Sequence, residues 1–267
     1  EEYAFRHMMD ASIFQNIQDI NPLKTYRVWT YVEIINDSRN IQLSYTKYKI
    51  PVYFKKCIDL MKENVPELIV LTPLNIKEYL PEFDLEMDKK SIIPLKIRVD
   101  ILYASILKKY GGICVSPGTV IYDLSNPLSL LHKYELVTFG GNPSVLQSQN
   151  HLYLPNSYVI GSQKNGKTIS EYLRLLKMSI KNDYHYNINT AKSEDILSHV
   201  IKSQKPTQFH YGTEYDGSYN SKYQVISIDN YIGTSDIDFL NKDKLLFINF
   251  PYDILLEMVD YEWFINI

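Results

Sequence analysis

Hydrophobic positions along this chain change period several times, and each change predicts an element. Tyr26–Ile35 is β-branched and aromatic and predicts a strand, closed by the polar break Asn36–Asn40. Pro51–Asn64 predicts a helix: proline suits the first turn, and Phe54, Cys57, Ile58 and Met61 recur at helical spacing. Glu67–Leu71 is a short continuous apolar run, the mark of a strand covered on both faces. Asn75–Leu80 starts another helical turn. Pro94–Tyr110 carries Leu95, Val99, Leu102 and Ile106 on one stripe and predicts the clearest helix, ended by Gly111-Gly112.

Further along, Ile113–Val115 and Thr119–Tyr122 predict short strands around the turn Ser116-Pro117-Gly118. Tyr134–Phe139 and Asn156–Gly161 predict strands, and Thr168–Lys181 and Ser193–Ser203 predict helices. Gln204–Lys222, rich in Tyr, Gly, Ser and Thr, reads as a long loop, with late strands at Tyr223–Ile228 and Leu245–Phe250. Strands alternate with helices through the first half, so βαβ units and an α/β fold with a largely parallel sheet follow. No repeat, low-complexity linker or domain boundary interrupts the pattern, which predicts a single domain over 9–267.

Composition narrows the function. The chain has 267 residues, 45% hydrophobic and 22% charged, which excludes a disordered or disulfide-scaffold protein. A net charge of −3 removes a general electrostatic footprint for nucleic acid. Two cysteines, Cys57 and Cys114, both beside apolar positions, read as core thiols and suit a reducing, cytoplasmic setting. The tyrosine count of 23 against 10 phenylalanines accompanies abundant Asn, Ile and Lys and reads as coding bias. Glu1–Met8 ends in His7-Met8 and is followed by Met9, which resembles a cloning remnant and places the expected native start at Met9. No window approaches the roughly 18 apolar residues of a membrane span.

Common chemical signatures are missing. There is no GxxxxGK[ST], no GxGxxG after a strand, no HExxH, no paired CxxC and no GxSxG. His132, His151, His185 and His199 are scattered and read as surface or satisfied residues. His210, in the polar stretch FHYGTEYDGSY, is the histidine with company suited to a ligand.

One segment differs, Asp100 through Val120. A helix puts Asp100 and Tyr103 on one face, ends in Tyr110-Gly111-Gly112, and hands over to a strand that stops in a tight polar turn. A strand's carboxyl end is where ligands bind in open α/β sheets. From spacing alone the segment reads first as a helix–strand join with one solvated carboxylate.

The same segment resembles the core motif of glycosyltransferases with a DXD sugar-binding region, most closely the capsular polysaccharide synthesis proteins. Asp100, Ile101, Leu102, Ile106, Leu107, Tyr110, Gly111, Gly112, Ile113 and Val115 fit the pattern. Ile50-Pro51, Lys56-Cys57-Ile58, Leu68–Leu71, Asn75, Val28-Trp29 and Asn156–Ser162 are similar to flanking parts in the same order. The resemblance implies a GT-A-like, Rossmann-like α/β domain with a mixed, mainly parallel sheet flanked by helices. It implies glycosyl transfer from a UDP- or GDP-linked nucleotide sugar to a glycan, protein or other hydroxyl acceptor.

It also implies donor contacts at Val28, Trp29, Asp100, Tyr103, Ser116 and Gly118, with Asn75 and Asn156 as further candidates beside His210, which its polar surroundings suggest. Trp29 would stack on the base, against an equally available reading as a core aromatic, and Asp100 would hold sugar hydroxyls. The family's two metal-binding carboxylates fall on Ser116 and Gly118, and its Arg falls on Tyr103, so the DXD is degenerate. The expectation is no tightly bound cofactor in the free protein, with Mn²⁺ or Mg²⁺ arriving only with the nucleotide sugar. Two alternatives follow: a catalytically impaired sugar-binding or assembly module, and a metal-independent transferase in which Lys96, Arg98, Lys108 or Lys109 supplies the missing positive charge.

Overall fold

The computed structural model describes residues 26–33, 52–83, 95–140, 155–182, 191–203, 209–212, 222 and 247–249. Its elements in chain order are β1 (Val28–Tyr31), α1 (Val52–Asn64), β2 (Ile69–Leu71), α2 (Ile76–Tyr79), α3 (Leu95–Tyr110), β3 (Gly112–Val115) and β4 (Thr119–Ile121). They continue with α4 (Ser125–Lys133), β5 (Leu136–Gly140), β6 (Pro155–Ser162), α5 (Lys167–Asn182), α6 (Ala191–Ser203), β7 (Phe209–Gly212) and β8 (Phe247–Asn249). Six strands form one sheet in the order β2-β1-β3-β6-β5-β7. β1 runs parallel to β2 and β3, and β5 runs parallel to β7. β6 is antiparallel to both its neighbours, so five strands share one direction and β6 opposes them. β4 and β8 pair antiparallel as a separate two-stranded sheet. The expected mixed, mainly parallel sheet flanked by helices is the fold observed.

Alternation along each central strand divides the core. Val28, Val32, Ile113, Val115, Val137, Phe139 and Val159 face a layer containing Cys57 and Met61 of α1, Leu130 and Leu131 of α4, and Phe247 of β8. Trp29, Tyr31, Cys114, Leu136 and Ile160 face α2, α3, α5 and α6. Period-two strands with both faces apolar demand helices on both sides, and the chain supplies them. β2 follows the predicted apolar run, but it is an outer strand of the described sheet, so Ile69 and Val70 are only half-buried.

Two elements depart from expectation. α4 is not among the expected elements; its Pro127 lies in the first helical turn, where proline is tolerated. Asp123 Oδ1 accepts the Ser125 N–H at 2.7 Å just ahead of it. β7 lies inside the stretch expected to be loop. Its register against β5, from Leu136↔Phe209 to Phe139↔Gly212, is a non-local pairing that composition does not report. The strand expected at Tyr223–Ile228 lies outside the described residues.

The α3–β3 join explains Tyr110-Gly111-Gly112. The Gly111 N–H returns to the Leu107 carbonyl at 2.8 Å, and φ is +74° at Gly111 and +105° at Gly112. Such angles end a helix at little cost only in glycine. A Cβ on Gly112 would fall on the backbone carbonyl of Arg27, so the missing side chain lets β3 start flush against the chain entering β1.

Both cysteines are free and fully buried, Cys57 in one layer and Cys114 in the other, on opposite faces of the sheet. Burial pushes the Cys57 thiol up to about 12 and the Cys114 thiol well above its ordinary range. Since the thiolate is the reactive form, native protein at pH 8 should react with a disulfide reagent only as fast as it opens. Denaturation without reductant should release two thiols; rapid native labelling of both would contradict the packing.

Candidate functional site at the carboxyl edge of the sheet

β1 leads through α1 to β2 on one side, while β3 joins β1 on the other after α2 and α3. Connections therefore change direction between β1 and β3, and a crevice outside the carboxyl ends of strands at such a point is where open α/β sheets bind ligands. The edge is built from Tyr31–Glu33 at the end of β1, Ser116–Gly118 after β3, and residues 155–158 at the start of β6. The last β1–β3 pair is Thr30↔Val115. Beyond it, the Ser116 N–H donates to the Tyr158 carbonyl at 2.7 Å, tying the turn to β6, and the Thr119 N–H donates to the Ser116 carbonyl at 3.1 Å. Residues 116–118 are buried.

Tyr103 reaches this edge from α3. Its hydroxyl accepts the Tyr31 N–H at 3.1 Å and donates to the Val115 carbonyl at 2.8 Å. Asp100 lies one turn earlier on the same helix and is 3% exposed. Ser157 Oγ donates to Asp100 Oδ1 at 2.6 Å, and Ser193 Oγ donates to Oδ2. Lys96 Nζ lies 3.1 Å from Oδ2, donates to Ser157 Oγ at 2.9 Å, and sits 3.7 Å from Glu194. The Tyr172 hydroxyl meets Ser193 Oγ at 3.1 Å. Asp100 thus joins α3, β6 and the start of α6 through bonds on both carboxylate oxygens.

Charge in this cluster is shared unevenly. Desolvation acts to lower the Lys96 pKa, but Asp100 and Glu194 outweigh it and hold the ammonium above its ordinary range. Burial raises the Glu194 carboxyl, and Asp100 adds to the rise against the pull of Lys96. Both raised values favour the protonated form in the folded state, so their contribution is complete in acid and falls away as pH rises through the folded values.

The structure brings together Asp100, Tyr103, Ser116 and Gly118 near the carboxyl edge. It places the others differently. Trp29 is 0% exposed. Its indole donates to the Gly111 carbonyl at 3.1 Å and packs against Tyr79 and Tyr110. With no free ring face it has no surface for a base, which corrects the stacking expectation in favour of the core reading. Val28 is likewise buried, in the opposite layer. Both Asp100 oxygens are engaged by Ser157, Ser193 and Lys96, and its side chain is 4% exposed. Asn75 braces its own turn: Nδ2 donates to the Val70 carbonyl at 2.9 Å, and Oδ1 accepts the Thr72 N–H at 2.8 Å. Asn156 pairs with Phe139 and His210 with Val137 through the backbone; their side chains lie outside the description.

Ser157, Ser193 and Glu194 complete the Asp100 cluster, and the sequence reading did not single them out. Ser157 stands within the Asn156–Ser162 motif; Ser193 and Glu194 carry no local signal. Lys109 bonds the Tyr79 carbonyl at 2.6 Å near the far end of α3, away from the edge. Among the described residues, no group of three or more His, Cys, Asp or Glu could hold a metal ion, and no helix is long and apolar enough to cross a membrane.

An open, mostly parallel α/β sheet covered by helices on both faces, with its direction change beside a buried Ser-Pro-Gly turn, defines the fold class. The family described as capsular polysaccharide synthesis protein matches residues 48–215, more than half of the chain, and the protein belongs to that family. No curated protein matches it. Among solved structures, it resembles a glycosyltransferase involved in the glycosylation of the major capsid of PBCV-1, at 13% identity and TM-score 0.46, covering 88% of this chain and 100% of that one. It also resembles the PaToxG glycosyltransferase, at 13% identity and TM-score 0.44, covering 77% and 78%. The glycosyltransferase GlyE of Streptococcus pneumoniae TIGR4, in its apo form, matches at 14% identity and TM-score 0.39, covering 70% of this chain and 45% of that one.

Proposed function

We propose that this protein is a glycosyltransferase that moves a sugar from a UDP- or GDP-linked donor to a hydroxyl of a glycan or protein acceptor. The observation that carries the reading is the switch point between β1 and β3, where the Ser116–Gly118 turn stands; β3 and the turn fall inside the family-matched residues 48–215, and β1 precedes them. In this reading the nucleotide diphosphate sits outside the β1 and β3 ends, and the turn lies against it. Asp100 acts from behind, fixing β6 and α6 around the pocket. A thermal-shift screen of UDP- and GDP-sugars tests the reading, because a ligand that binds only the native state raises its stability. Stabilisation by one nucleotide sugar, followed by transfer or slow hydrolysis of that donor, is the expected result. No stabilisation by any donor overturns it.

The residues present do not fit a carboxylate-held divalent cation. The turn offers one hydroxyl at Ser116, no charge, and backbone groups already bonded to Tyr158 and Thr119. Hard cations favour carboxylate oxygens, and Asp123 is exposed with its Oδ1 on the Ser125 N–H. Calorimetric titration of Mn²⁺ into the free protein should therefore show no micromolar site. Micromolar binding lost in Ser116→Ala would contradict this. Metal binding created by Ser116→Asp with Gly118→Asp would show that the turn retains the geometry and lacks only the charges.

The same uncharged turn favours one second reading, a catalytically impaired module that binds a sugar nucleotide or assists assembly. Donor binding with neither transfer nor hydrolysis, across metal-free and Mn²⁺ conditions, selects it.

A further inference from the structure

Parallel strands bond through evenly spaced, slanted rungs, and alternate residues of a central strand bond opposite neighbours. With Thr30 opposite Val115 as the last pair, the final rung of the β1–β3 ladder brings the Tyr31 N–H and the Val115 carbonyl together. The Tyr103 hydroxyl stands on that rung and bonds both groups, at 3.1 and 2.8 Å. The neighbouring groups serve the other strands, as alternate residues of a central strand do: the Val32 N–H bonds the Leu71 carbonyl of β2 at 2.9 Å, and the Ser116 N–H bonds the Tyr158 carbonyl of β6. A further β1–β3 rung would need an N–H at Pro117, which has none. β1 and β3 thus part company at the rung where the hydroxyl sits, and this rung is also the switch point of the sheet.

We propose that Tyr103 is a positioning residue for the donor: its hydroxyl spaces the ends of β1 and β3 at the switch point and so sets the Ser116–Gly118 turn against the nucleotide diphosphate. The proposal rests on the donor-binding reading above. The ring, 2% exposed, is anchored in the layer of α3 and α5, so the hydroxyl has little freedom to move. It contacts no ligand surface itself; it acts through Val115 and Tyr31. Without it, the Val115 carbonyl and the Tyr31 N–H either close on each other, shifting the turn, or stay apart unsatisfied.

The test compares wild type, Tyr103→Phe and Tyr103→4-aminophenylalanine, which retains the ring and a donor and acceptor at the para position. UDP-glucose and GDP-mannose serve as probes, read by calorimetry and, for the donor that turns over, by kinetics. Tyr103→Phe should weaken the donor Kd and raise the donor KM roughly tenfold, with kcat at saturating donor and the acceptor KM little changed. 4-Aminophenylalanine should restore donor affinity to within about threefold of wild type. A merely structural role would instead lower the active fraction and leave the donor KM in place, and that outcome overturns the proposal. So does equal donor affinity in Tyr103→Phe. If Tyr103→Phe does not fold, a folded 4-aminophenylalanine variant that has lost donor binding overturns it, and one that binds upholds it. Wild type that binds no UDP- or GDP-sugar of the screen removes the donor-binding reading and this proposal together, whereas wild-type binding unchanged in Tyr103→Phe removes this proposal alone.

Discussion

Gly112→Ala is expected to lower the melting temperature by roughly 10 °C or to prevent folding outright. Its φ of +105° lies where an L side chain costs about 1–3 kcal/mol. The added Cβ would also fall on the Arg27 carbonyl, which is backbone and has no rotamer to escape into. Relief requires β3 to move away from the residues entering β1. That displaces the Ile113 N–H from the Arg27 carbonyl, now bonded at 2.9 Å, and loosens the pairing on which the switch point stands. Together these exceed about 4 kcal/mol, a large share of the roughly 5–15 kcal/mol that holds a native protein. Gly111→Ala should cost less: its φ of +74° is closer to the left-handed region that other residues visit, and its nearest obstacle, the Lys164 nitrogen, lies 2.8 Å from the built Cβ. Thermal melts of the two variants check the order, and a Gly112→Ala protein melting within about 2 °C of wild type would refute the account of the join.

Asp100→Ala carries the second large effect. Removing the carboxylate strips Lys96 of its nearest counter-charge and leaves the Ser157 and Ser193 hydroxyls without their acceptor. Breaking a buried ion pair from one side typically costs about 3–5 kcal/mol. Lys96 and Asp100 side chains are 17% and 4% exposed, so solvent screening offers limited relief. Asp100→Asn should cost less, because shape is kept, but its amide group presents donors to neighbours that already donate. Urea unfolding gives the values. The double variant with Lys96→Met should cost less than the sum of the single changes, since residues in one network couple. Additive losses would mean that Asp100 and Lys96 do not share the buried network described.

The parts of the fold that sequence made legible are those fixed by local chemistry. Helix period placed α1, α3, α5 and α6 within a few residues, and Tyr110-Gly111-Gly112 marked a join whose backbone angles only glycine tolerates cheaply. β7 escaped because its evidence is a partner strand some 70 residues earlier in the chain, at Leu136–Gly140. Trp29 stayed open between base and core in the sequence for a related reason. In a sheet covered by helices on both faces, a strand residue's parity does not say whether its side chain meets a ligand or a helix, and here Tyr79 and Tyr110 close over the ring. Asp100 was recognised from its motif, but its partners stand 57 and 93 residues away, at Ser157 and Ser193, and only the folded chain shows that they occupy its oxygens. Tyr103 stood out in the sequence as a departure from an arginine; its strand-bridging role needed the register of β1 and β3.

The central claim is that a nucleotide sugar sits outside the carboxyl ends of β1 and β3. Amide hydrogen exchange on the wild-type protein, with and without the nucleotide sugar that stabilises it most, tests this directly. The account predicts slowed exchange at residues 31–33, 115–119 and 155–158, with the amino-edge segment 110–112 unchanged. Protection confined to the amino edge or to the outer helices, with 31–33 and 115–119 unaffected, would contradict it.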